Sequence, residues 1–164
     1  MVINMNFIKQ IFPYVVIFLF VVVIRTFIVT PVIVSGESMA TTLKDGEYLL
    51  LKKYDHTYSR YEVIVFNYNN SKLVKRIIGL PGEHVKYKDG TLYINNQRVE
   101  DDFSSLTTDF DLRYLGFEVI PEGYYFVLGD NRMFSSDSRI IGLISEEQIE
   151  GTTNFRLLPF GNFN

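Results

Sequence analysis

The chain has 164 residues, enough for one modest domain plus an anchor. Its net charge of −3 carries no electrostatic footprint for nucleic acid. The absence of cysteine excludes disulfides, cysteine nucleophiles and thiolate metal sites. The 14 Phe and 11 Tyr favour strands and membrane contact over long soluble helices.

The first element is apolar. Residues from Ile11 to Ile24 carry no charge, Arg25 interrupts, and Thr26 to Thr30 continue apolar. A spanning helix needs ~20 such residues, and an arginine near one end snorkels to the headgroups. Pro13 falls in the first turns, where proline is best tolerated. A cleaved signal peptide is the alternative, but no small-x-small site follows, because Phe27, Ile28, Val29 and Val32 fill those places. The expectation is an uncleaved anchor over residues 1–30, with a cytoplasmic tip, and an extracytoplasmic β domain over 31–164.

Beyond Val34 the pattern is strand-like, with no long 3.6-residue periodicity. Residues 46–51, 62–66 and 73–78 read as strands, the last ended by Gly79-Leu80-Pro81-Gly82. His84 to Lys88 alternates, Asp89-Gly90 turns, and Thr91 to Ile94 returns, a strong hairpin signal. Asn95-Asn96 turns the chain again toward Arg98-Val99. Residues 101–118 read as an irregular excursion, 123–128 as a buried strand, and the last strands fall near Ile140–Ile144 and Thr152–Leu158. Phe155, Leu157, Leu158, Phe160 and Phe163 suit lipid contact or, by the alternation over Thr153–Leu157, a plain core strand. The fold class is mainly β: one N-terminal transmembrane helix, then an antiparallel, partly barrel-like domain.

Ser35-Gly36-Glu37-Ser38-Met39 follows the apolar stretch directly. A hydroxyl is a weak nucleophile and needs a base beside it. Neither His56, in a polar loop, nor His84, at the start of a hairpin strand, sits in a suggestive setting, and two histidines are too few for most histidine-based metal centres. Lysine serves if burial lowers its pKa from ~10.4 by several units. Lys75 lies in the apolar run Val74-Lys75-Arg76-Ile77-Ile78. Neighbours on a strand point to opposite faces, so either Lys75 faces inward or Arg76 does, toward a buried acid.

Three blocks, Gly36-Glu37-Ser38-Met39, Lys75 to Gly82, and Gly129 to Arg139, together resemble the type I signal peptidase (leader peptidase) family in its compact Gram-positive form. The likeness covers nearly the whole chain. It implies a β domain of the signal peptidase and LexA type, and a membrane-bound serine endopeptidase that cleaves signal peptides from secreted preproteins. It also implies an N-terminus inside the cell, no cofactor and no metal. By the resemblance Ser38 is the nucleophile and Lys75 its general base. Ser135 orients the lysine amine, Asp137 and Arg139 are a salt-bridged pair, and Gly129, Asp130, Asn131 and Arg132 are scaffold. The Ser38 backbone N–H is one oxyanion donor. Some relatives place a second donor, a serine hydroxyl, where this chain has Gly36. Met39, beside the nucleophile, lines a substrate pocket or belongs to the core. Substrates carry small residues at −1 and −3, and the lipid bilayer and the secretion machinery are further partners. Two departures stand out: Thr41 replaces a usual proline, and Tyr61-Glu62 replaces a usual Gly-Asp. They motivate the alternatives of a weak or inactive paralogue, or of a tethered β domain that only binds partners.

Overall fold

Residues 5–53 and 57–163 are described by the computed structural model. The apolar N-terminal run winds into α1 (Met5–Phe27), a 23-residue helix with Pro13 inside it and Arg25 in its last turn. Its described side chains from Gln10 to Val23 are exposed, and that uncharged stretch falls short of the ~20 residues a span needs. Among the described residues, then, no helix is long and apolar enough by itself to cross a membrane. His56 and its polar loop lie outside the described residues.

The chain leaves α1 straight into β1 (Val29–Ile33), which pairs antiparallel with β2 (Tyr48–Lys52). A hairpin joins β3 (Val63–Tyr68) to β4 (Ser71–Gly79). Its turn residues Asn69 and Asn70 both have positive φ, 48° and 63°, the backbone of a tight hairpin. The Asp89-Gly90 signal marks the turn between β5 (Val85–Lys88) and β6 (Thr91–Ile94), and Asn95-Asn96 leads into β7 (Gln97–Val99). The 101–118 excursion holds two short 3-10 turns, Ser104–Leu106 and Leu112–Leu115, and β8 (Phe110–Asp111), which pairs with β5. β9 (Tyr124–Leu128) is buried beyond its first residue.

The strand expected near Ile140–Ile144 is instead a short helix, α2 (Ser138–Ile141), and a two-residue strand, β10 (Ile144–Ser145). The Asp137 carboxylate caps α2 by accepting from the Arg139 N–H, and Gly142 ends it at φ 85°. An N-cap and a C-terminal glycine override the β-prone isoleucines. β11 (Ile149–Thr153), β12 (Phe155–Leu158) and β13 (Gly161–Asn162) complete the chain.

Nine strands form one antiparallel sheet in the order β10-β9-β4-β3-β11-β2-β12-β13, with β1 also on β2, and β7-β6-β5-β8 form a second. No pairing among the described residues joins β10 to β13, so the large sheet does not close into a barrel. β4 lies between β3 and β9, and its residues from Val74 to Gly79 are all buried. Met39, Leu49, Val63, Val74 and Phe163 belong to one core cluster. Of the C-terminal apolar residues Phe163 is therefore core, whereas Leu158 and Phe160 stand out at 64% and 82% exposure.

Candidate active site

Ser38 begins a tight turn. The N–H groups of Thr42 and Leu43 both donate to the Met39 carbonyl, at 2.8 and 2.6 Å. Gly36 supplies the left-handed backbone before it (φ 88°), and its N–H donates to Asp45 Oδ1 at 2.8 Å. The turn seats the Met39 side chain in the core, 1% exposed. The core position is the one the structure records for Met39, and the Asp130 N–H meets its sulfur at 3.3 Å.

Lys75 sits opposite Ile64 on β3 and is 2% exposed. Its Nζ lies 2.6 Å from Ser38 Oγ and donates to the Val74 carbonyl at 3.1 Å. Burial pulls its pKa down to about 8, against the Asp137 and Asp130 charges, which raise it. Stripping water from an ammonium destabilises the charged form, so the amine becomes a base within reach of neutral pH.

The sequence left either Lys75 or Arg76 facing inward; the structure buries both, because β4 is covered on its two faces. Arg76 forks onto the fully buried Asp130, with Nε to Oδ1 at 2.8 Å and Nη2 to Oδ2 at 2.6 Å. Its Nη1 donates to the Tyr61 carbonyl at 2.8 Å. Tyr61 holds φ 72°, a left-handed backbone that glycine adopts without strain. The Thr42 hydroxyl donates to the same Asp130 carboxylate at 2.5 Å. Asn131 grips the other end of the turn. Its N–H donates to the Ser38 carbonyl at 3.0 Å and its Nδ2 to the Glu37 carbonyl at 2.9 Å.

Asp137 and Arg139 form a two-bond ion pair, at 2.8 and 2.9 Å, with Asp137 fully buried. Asp137 also accepts the Gly129 N–H, and Arg139 donates to the Arg132 carbonyl at 2.8 Å. Arg132 is buried and forks onto Asp101 at 2.7 and 3.0 Å, with Thr107 and the Tyr87 hydroxyl as further partners. The block from 129 to 139 is thus built from buried ion pairs rather than loose turn chemistry. A Cβ at Gly129 would collide with Ser135 Oγ and the Ser38 carbonyl oxygen, so only glycine fits there.

Ser135 departs from its expected role. It is 8% exposed, but its Oγ has no hydrogen-bond partner among the described residues, and the implied bond to the Lys75 amine is not formed. The hydroxyl is held against Gly129, while the lysine amine turns to Ser38 and the Val74 carbonyl.

The Ser38 N–H donates to no acceptor among the described residues, which leaves it free for an oxyanion. Gly36 offers no second donor, since it has no side chain and its N–H is taken by Asp45. No cluster of three or more potential metal ligands occurs among the described residues. Sequence reasoning missed Thr42 and Asn131 as contacts of the nucleophile turn. Asn131 was marked only as scaffold inside the third block, and Thr42 lies three residues beyond the first block, where nothing in the sequence singled it out.

Comparison with known proteins gives a consistent result. A family profile described as "Signal peptidase, peptidase S26" matches residues 5–158. The chain is 40% identical to signal peptidase IB of Staphylococcus aureus, across 89% of this chain and 86% of that protein. It is 42% identical to signal peptidase I T of Bacillus subtilis, across 87% and 80%. A crystal structure of a signal peptidase I from Enterococcus faecalis superposes with a TM-score of 0.55 at 40% identity, covering 58% of this chain and 96% of that one.

Proposed function

The chain belongs to the signal peptidase family, peptidase S26, and is a serine endopeptidase; we propose that it cleaves signal peptides from secreted preproteins with a Ser38/Lys75 dyad at a membrane surface. The observation that carries this reading is the 2.6 Å approach of the Lys75 amine to the Ser38 hydroxyl inside a buried site. With the pKa near 8, roughly a tenth of the lysine is neutral at pH 7 and about half at pH 8. Neutral Nζ takes the Ser38 proton as Oγ attacks the scissile carbonyl. It then gives that proton to the leaving amine, and the acyl group stays on Ser38. The lysine next draws a proton from water as its oxygen attacks the ester, and returns that proton to Ser38 Oγ as the acid leaves, which restores the dyad. The Ser38 N–H stabilises each oxyanion.

Three features support the setting. α1 carries an uncharged, exposed run from Gln10 to Val23, with Lys9 and Arg25 toward its two ends, which suits contact with a bilayer. Residues Ile33, Tyr48 and Leu158 stand opposite one another on β1, β2 and β12, all exposed, with Phe160 beside them at the hairpin tip. This apolar row adjoins the strand that leaves α1, so it suits contact with the same bilayer. Among the described residues β1 pairs with β2 alone. Its open edge runs toward Ser38 and would accept an extended substrate as an added strand, small at −1 and −3.

The test uses full-length protein in detergent with a purified preprotein, beside Ser38→Ala and Lys75→Ala. Loss of cleavage in both variants is expected; cleavage that survives either one rules out the dyad. Phe160→Ser is expected to weaken liposome binding by an anchor-free domain, and unchanged binding would remove the lipid role of that row.

A further inference from the structure

The nucleophile and its base lie on different segments. Ser38 is on a turn, Lys75 on a central strand, and among the described residues the only direct bond between them is the one the reaction breaks and remakes. Some other tie must hold the turn at the right distance from β4. The fully buried Asp130 carboxylate supplies it, because it accepts from both sides: two bonds from Arg76, the residue next to Lys75, and one from Thr42 on the nucleophile turn. Asn131 adds the contacts to Glu37 and Ser38 at the other end of the turn. Of these tethers only the Thr42 hydroxyl bond comes from a side chain of the turn itself.

Resting on the Ser38/Lys75 reading, we propose that Thr42 is a positioning residue. Its hydroxyl locks the nucleophile turn to the Asp130–Arg76 pair and so fixes Ser38 Oγ against the Lys75 amine. The threonine methyl does no such work, since a Ser at 42 would make the same bond. Removing the hydroxyl has a second effect. Asp130 already acts to raise the Lys75 pKa, and with only the Arg76 Nη2 bond left at Oδ2 its charge is less neutralised. The acid limb of the reaction then moves to higher pH.

The experiment compares full-length wild type, Thr42→Val, Thr42→Ser, Ser38→Ala and Lys75→Ala in detergent on one preprotein. Thr42→Val is expected to lower kcat by ~10- to ~100-fold, as misplacement of a reacting group does, with KM within about 3-fold. Its pH profile should shift upward, and Thr42→Ser should restore both. Near-UV circular dichroism gives the folded fraction of each variant. A kcat loss merely proportional to lost folded protein, an unshifted profile, or failure of Ser to rescue would overturn the proposal. So would a Thr42→Val enzyme equal to wild type while Ser38→Ala and Lys75→Ala are dead. Cleavage by either of those two instead refutes the dyad itself, so the two failures are told apart.

Discussion

Replacing Lys75 by Met should abolish cleavage and yet stabilise the protein at neutral pH. The lysine is 2% exposed, and burial brings its pKa from 10.5 to about 8. That gap corresponds to ~3 kcal/mol, at ~1.4 kcal/mol per pH unit. The sign follows from proton counting. Below about pH 8 both folded and unfolded chains carry the proton, and the folded state bears the whole cost of a buried charge. Between about 8 and 10.5 the unfolded chain binds more protons, so wild-type stability rises with pH. Above that window both forms are neutral and the cost is gone. Met is unbranched like lysine, one atom shorter, and carries no charge. The lost bonds to Ser38 and the Val74 carbonyl offset ~1 kcal/mol each. Lys75→Met should therefore gain ~1–3 kcal/mol at pH 7, or ~3–9 °C in Tm for a chain of this size. Thermal unfolding of full-length protein in detergent, followed by circular dichroism from pH 6.5 to 10.5, measures it. The advantage should shrink steadily above pH 8. A less stable Met variant at pH 7, or an advantage that stays constant to pH 10.5, would show that Lys75 is not a costly buried amine.

The remaining expectations are simpler. The kcat/KM for a preprotein should rise with pH through about 8, since only neutral Lys75 accepts the Ser38 proton; a profile flat from pH 6 to 9 contradicts that. Gly129→Ala should lose most activity and ~1–3 kcal/mol of stability, because its Cβ meets Ser135 and the Ser38 carbonyl; activity assays with thermal melts decide it. Arg139→Lys should cost ~1–2 kcal/mol, since an ammonium cannot replace the two-bond grip on buried Asp137 together with the bond to the Arg132 carbonyl. An unchanged melt would show that the fork contributes nothing.

Local signals were readable in this chain and long-range pairings were not. Asp89-Gly90 announced its hairpin because φ > 0 at both positions is a demand that few residues meet. Asn69-Asn70 meets the same demand and went unread, since asparagine is a weaker mark than glycine. The isoleucines at 140 and 141 suggested a strand, and the Asp137 cap made them helical. The apolar run marked Lys75 as a candidate base only on equal terms with an inward Arg76, and the family likeness chose between them. The two were legible only as alternatives, because period-2 reasoning assumes one wet face and β4 has none. Asp101 lay in a stretch read as irregular, yet it neutralises the buried Arg132 from 31 positions away. Nothing in a one-dimensional pattern marks such a pairing. Ser135 shows the opposite limit: the family likeness supplied a bond that its hydroxyl does not make here.

The short passage from α1 into β1 has a consequence of its own. The helix ends at Phe27, β1 starts at Val29, and Ser38 follows within the same run of chain. A fully extended segment of that length reaches ~36 Å, and the turn at Ser38 shortens it. With α1 as the membrane anchor, the scissile bond cannot lie farther than this from the end of the helix. The strand is then a ruler. On the proposed reading it would select preproteins by the spacing between their apolar segment and their cleavage point, in addition to the side chains that flank the cut. Lengthening β1 would move the preferred cleavage point along the substrate without touching Ser38 or Lys75.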